Sequence, residues 1–218
     1  MRKPLPDWLP YVLPMACFLG ITMLEGQFPA HYVYIYFAKV VVTLAALLYA
    51  RPTWKDMKWE PKVLPISIIV GLLMFVMWVG IEKYLHYPHL GDRTAYNPWE
   101  KIGDPGLRTA FVAVRFFGLV LMVPFMEELF WRSFALRYAS QTDYKAMPVG
   151  TYTEVGAILT CAVFALAHPE WIVALIFAIG ITMLLKRTRS VFACFVCHAV
   201  TNLALGIYVV TTGAWTLW

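Results

Sequence analysis

Val123-Pro124-Phe125-Met126-Glu127-Glu128-Leu129-Phe130-Trp131-Arg132 sets two adjacent carboxylates and a guanidinium inside a run that otherwise reads as a membrane-spanning helix. A charge at bilayer depth costs about 2.5–3.5 kcal/mol on insertion scales, so such residues face protein or water and mark a functional site. Helical neighbours point about 100° apart, whereas residues four apart share a face. Glu128 and Arg132 are four apart with the acid first, the favoured order for an ion pair. Glu127 points elsewhere. Arg132 is therefore expected to neutralise Glu128 and to leave Glu127 as a proton acceptor. The competing reading is a buried charge network that only holds helices together. Pro124, one turn before Glu128, is expected to free a backbone carbonyl near the acids.

Working outward, the rest of the chain is as apolar as this stretch. Of 218 residues, 61% are hydrophobic and 14% charged, against about 45–50% apolar and about a quarter charged in soluble domains. The mean hydropathy is +0.65. Apolar runs without period-2 alternation exclude a barrel and predict an all-α polytopic membrane bundle of about seven helices. We expect a single membrane domain over 1–218, with accessory helices and a loop in 1–107 and core helices in 108–213. The spans are expected near 8–24, 31–50, 63–85, 108–137, 154–167, 171–186 and 190–213. Pro10 and Pro14 interrupt the first, which resembles a signal peptide but has no convincing cleavage site and reads as a retained helix. The fifth and sixth are short for a crossing, so His168 is expected to cap a hairpin that turns below the far surface.

The net charge of +5 follows membrane rules and not those of nucleic-acid binding. Lys and Arg gather at the N-terminus (Arg2, Lys3) and in loops 51–62, 132–145 and 186–189; the connections 25–30 and 168–171 have none. The alternation fits seven spans with a cytoplasmic N-terminus and favours anionic lipid on that side. Lys39, inside the second span, is expected to snorkel to the interface. Cys17, Cys161, Cys194 and Cys197 all lie in apolar segments and read as small buried side chains, even though Cys194 and Cys197 form C-x-x-C before His198. His86 and His89 in the 86–107 loop read as interfacial residues.

Two further spans carry polar groups at depth. In Phe164-Ala-Leu-Ala-His168 the phenyl ring lies one turn before the imidazole and can pack over it. In His198-Ala-Val-Thr-Asn202 the imidazole and carboxamide share a face and can bond one water or one carbonyl oxygen. Either alone reads as helix glue. Together with Glu127 they supply a base, two imidazoles and an amide donor, the inventory for activating water and stabilising an oxyanion.

E-E-x-x-x-R, F-x-x-x-H and H-x-x-x-N, in this order on successive apolar helices, resemble the CAAX-protease and bacteriocin-processing family, the type II prenyl endopeptidases and their bacterial relatives. The resemblance covers about residues 108–210. The spacing of His168 and His198 is similar to the compact bacterial branch, in the inner membrane; HPEW, TRS and TGAW look similar to its exosortase-associated members. The resemblance implies a glutamate-dependent intramembrane endopeptidase with no obligatory metal or other cofactor, acting on a membrane-associated, CAAX-like peptide or protein. By position, Glu127 would take the proton from water and His168 would help hold that water. His198 and Asn202 would bind the oxyanion, and Glu128 and Arg132 would orient the site. Three other classes are weighed. A zinc peptidase would use Glu127, His168 and His198 as ligands, but no H-E-x-x-H is present. A non-catalytic binding or immunity protein would not need Glu127. A transporter would want broken helices in two similar halves, and no such repeat is present.

Overall fold

The computed structural model describes residues 5–91, 93 and 95–217, and all regular structure among them is helical. The main helices are α1 (Leu9–Gln27), α2 (Tyr32–Tyr49), α3 (Leu64–Tyr84), α4 (Pro105–Ser140), α5 (Glu154–Leu166), α6 (Trp171–Thr188) and α7 (Val191–Thr212). Six of these stretches are long and apolar enough to cross a membrane, and α5, with 13 residues, is shorter. The chain is an all-α polytopic membrane protein. Arg2, Lys3 and Trp218 lie outside the described residues.

Local sequence sets the helix ends. Asp104 accepts from the Leu107 amide with Pro105 at the first position, Thr153 accepts from Gly156, and Ser190 accepts from Ala193. Each satisfies an N–H that has no partner within its helix. α7 stops at Gly213, whose φ of 73° suits a residue without a Cβ. Pro14 does not interrupt α1, which runs through it.

α6 and α7 are the most enclosed of the membrane-length helices. On α6, Val173, Phe177, Ile181 and Leu185 follow one another at four-residue spacing, each with at most 2% of its surface exposed. That stripe faces the bundle. By contrast Val155, Ile158, Leu159, Val163 and Leu166 of α5 are exposed, as are Ile69, Leu73 and Val76 of α3. In water such surfaces would drive aggregation, whereas in lipid they lie among chains as apolar as themselves.

α3 and α7 approach closely at Gly71. A Cβ there would stand 2.7 Å from the Cys197 carbonyl oxygen and 2.9 Å from Val200 Cβ. The Thr201 hydroxyl reaches the Gly71 carbonyl at 2.9 Å. Small residues let membrane helices meet backbone to backbone and add such bonds. Cys161, Cys194 and Cys197 are buried free thiols, as the sequence suggests, and Cys17 is half-buried.

Lys39 departs from expectation. It does not snorkel: it is 4% exposed, its ammonium lies 2.6 Å from Glu25 Oε2 on α1, and it sits over the Phe18 and Tyr36 rings at 4.8 and 4.6 Å. An ammonium this far from water needs an anion, and the end of α1 supplies one.

Gly71→Ala forces a methyl group against backbone that cannot move aside, so it should destabilise the bundle by roughly 1–3 kcal/mol. Thermal unfolding in detergent should show a midpoint several degrees below wild type; an unchanged midpoint would refute the close approach.

Candidate active site

Glu127 and Glu128 lie in the middle of α4, in a short α-helical piece, Val123–Glu128, between two π-helical segments, the second of which carries Arg132. In the first, Gly118–Met122, the Val123 amide bonds the Gly118 carbonyl, five residues back. The second is Leu129–Ala135, where Leu136 bonds Trp131 in the same way. Wide turns of this kind are rare and concentrate at functional sites.

The first wide turn changes the part Pro124 plays. With five-residue spacing, the Leu119 carbonyl would look to the amide of residue 124, and proline has none. Asn202 of α7 fills the gap, its Nδ2 donating to that carbonyl at 2.9 Å. Proline does free a carbonyl, as expected, and the Asn202 amide occupies it.

Glu128 has no exposed surface. Its Oε1 accepts from His198 Nδ1 at 2.8 Å, and its Oε2 lies 3.3 Å from Arg132 Nε. The expected pairing of Glu128 with Arg132 is present, and His198 is a second partner. The guanidinium sits over the Phe164 ring at 4.8 Å. That ring stacks on His168 at 4.5 Å and lies 6.0 Å from Phe177, which meets His198 edge-on at 5.0 Å. The contacts close a circuit through α4, α5, α6 and α7: Arg132, Phe164, Phe177, His198, Glu128 and back to Arg132. Phe177 is absent from the sequence reading. Its place on the α6 stripe was available, but helical spacing marks a buried ring and not what that ring touches.

Glu127 stands apart from this circuit. Its Oε2 is buried without a hydrogen-bond partner. Among the described residues the buried side-chain atoms left unbonded include Glu127 Oε2, Glu128 Oε2 and Arg132 Nη1, so one short motif carries three of them. Such groups cost energy unless something polar reaches them. The Glu127 charge is felt at His168. His168 lies in the turn between α5 and α6, with Nδ1 2.8 Å from the Phe164 carbonyl. A carbonyl only accepts, so that nitrogen carries the proton and Nε2 presents a lone pair when the ring is neutral. Removal from water holds this imidazole below its ordinary value, against the opposite pull of Glu127.

The sequence-derived residues thus fall into three groups. Glu128, Arg132 and His198 are joined directly; His168 is joined to them through Phe164 and lies within reach of the Glu127 charge. Asn202 is bonded to backbone one turn before the acids, and no hydrogen bond links it to His198. Among the described residues no three His, Cys, Asp or Glu side chains form a group that could hold a metal ion, and His198 Nδ1 is taken by Glu128.

Residues 109–204 match the family of type II CAAX prenyl endopeptidases described as Rce1-like. Comparison with curated proteins gave no match, and comparison with solved structures gave none. The matched residues run from the first turns of α4 to just past Asn202, and so contain the acid motif and both histidine motifs. Through this segment the protein is similar to the type II CAAX prenyl endopeptidases, and its six apolar helices make it an integral membrane protein.

Proposed function

We propose that the protein hydrolyses a peptide bond of a membrane-associated protein or peptide with a water activated by Glu127. The observation that carries this reading is the contrast between the two glutamates. Glu128 is committed to His198 and Arg132, whereas Glu127 keeps a buried oxygen without a hydrogen-bond partner.

In this mechanism a water donates one hydrogen to the Glu127 carboxylate and the other to His168 Nε2. Its lone pair then faces the scissile carbonyl. Glu127 takes a proton as the oxygen attacks, and the carbonyl oxygen becomes an oxyanion. His198 in its doubly protonated form offers Nε2–H to that oxyanion, balanced by Glu128. The proton on Glu127 passes to the leaving nitrogen, the C–N bond breaks, and a carboxyl and an amine are released. The groups Glu127, Glu128, Arg132 and protonated His198 then sum to zero charge, as a buried site requires.

Asn202 has two roles in this account. One N–H holds the Leu119 carbonyl and so fixes the register of α4 ahead of the acids; the other remains for the oxyanion. Residues 108–213 form the catalytic core, and the earlier helices flank it. We place the N-terminus on the cytoplasmic side of a bacterial inner membrane, from the distribution of Lys and Arg. The substrate is CAAX-like in the sense of the family and lies at the bilayer, with or without an attached lipid.

Glu127→Gln and His198→Ala should each lower cleavage by at least about a hundredfold, the lower range for a general base or an oxyanion donor. Comparative membrane proteomics of wild type against Glu127→Gln should reveal uncleaved proteins that accumulate only in the variant. Identical proteomes, with the variant inserted at wild-type level, would refute the reading.

Asn202→Leu should leave the Leu119 carbonyl without its donor and cost about 1–3 kcal/mol. Adding Pro124→Ala restores an N–H and should return part of the lost melting temperature. No loss in the single variant would show that the bond to Leu119 holds nothing in place.

A further inference from the structure

The loop between α3 and α4 takes no part in the three motifs, yet it fastens onto the residues that follow His168. The Leu90 amide donates to the Pro169 carbonyl at 2.9 Å. Trp171 Nε1 donates to the Pro88 carbonyl at 3.0 Å, and the Tyr87 ring meets Trp171 edge-on at 6.3 Å. Between these, Arg93 Nε and Nη2 reach the two oxygens of Glu170 at 2.5 and 3.0 Å. Pro169, Glu170 and Trp171 are consecutive and directly follow His168, so the loop grips the turn at three successive residues.

The central bond is the strong one. A guanidinium meeting a carboxylate with two parallel N–H···O bonds is both tight and directional. The Glu170 side chain is 4% exposed and that of Arg93 34%. Burial would raise the Glu170 carboxyl, but the Arg93 bonds and charge outweigh it and hold it below its ordinary value. The pair also lines a cavity of about 540 Å³ together with Glu82, Lys83, His89 and Tyr208. Arg93 therefore reaches the buried acid from a space large enough for water.

The charged groups felt at His168 are Glu127 from α4, Arg93 from the loop and Glu170 from its own turn. Arg93 and Glu170 act there with opposite signs. We propose that Arg93 and Glu170 form a clasp that positions His168 and balances the charge around it, which makes both of them positioning residues of the site. The inference rests on the role given above to His168. Neither residue touches the water or the peptide; each acts through the turn.

The test uses the full chain in lipid nanodiscs and reads His168 directly, without turnover. Nitrogen-15 NMR of labelled histidine, with His168→Gln to assign the signal, gives the titration midpoint of the ring. Arg93→Gln removes the nearby cation and should raise that midpoint by roughly half a unit or more, whereas Glu170→Gln should lower it. The double variant should return close to wild type, and Arg93→Lys, which keeps the charge, should move it least. Losing the bidentate bond should also free the turn, so exchange of the Leu90 amide should quicken at least about tenfold in either neutral variant. Shifts of the same sign in both single variants, or unchanged Leu90 exchange, would overturn the clasp. Because neither readout needs catalysis, a failed clasp is distinct from a failed peptidase reading, which Glu127→Gln tests separately.

Discussion

A carboxylate with no exposed surface must be neutralised, and the way Glu128 is neutralised organises this half of the molecule. Burying one ion costs several kcal/mol even after relaxation. One compensating group is Arg132, one turn along the same helix; the other, closer in space, is His198 on α7. The His198 bond docks α7 on α4. The Arg132 guanidinium, 4.8 Å over the Phe164 ring, carries the constraint to α5, and Phe177 brings in α6. One buried charge thereby fixes the mutual placement of four helices. Apolar side chains of similar volume would stabilise a bundle as well or better, so the network matters for where it puts the imidazoles.

The same helix presents two adjacent glutamates in opposite conditions. Because neighbours on a helix diverge by about 100°, Glu128 faces its partners while Glu127 is turned away, with one oxygen buried and unbonded. The π-helical segments on either side alter the spacing at which α4 faces its surroundings. The first also exposes the Leu119 carbonyl that Asn202 holds. Distorted backbone, an unbonded acid and a neighbouring imidazole thus fall within one stretch of α4 and the turn beside it.

Much of this was legible in the sequence, for identifiable reasons. Helix number and approximate bounds follow from apolar run length. The Glu128–Arg132 pair follows from four-residue spacing, and the gathering of three helices follows from the order of the motifs. What escaped depends on partners distant in sequence. Lys39 reads as a snorkelling lysine until Glu25 is seen beside it, because spacing within one helix says nothing about the facing helix. The bond from Asn202 to Leu119 requires the π register, a backbone property that no side-chain pattern encodes. The Arg93–Glu170 contact joins a loop to a turn 77 residues away, with no periodicity to announce it.

The account turns on a division of labour in which Glu128 holds helices and Glu127 is left free. Side-by-side thermal unfolding of the two glutamine variants tests that division most directly, since each swap removes charge at nearly constant volume. Glu128→Gln should lower the unfolding midpoint by several degrees, because His198 and Arg132 lose the anion that compensates them, whereas Glu127→Gln should leave it at or above wild type. Equal losses, or a larger loss for Glu127→Gln, would contradict the account.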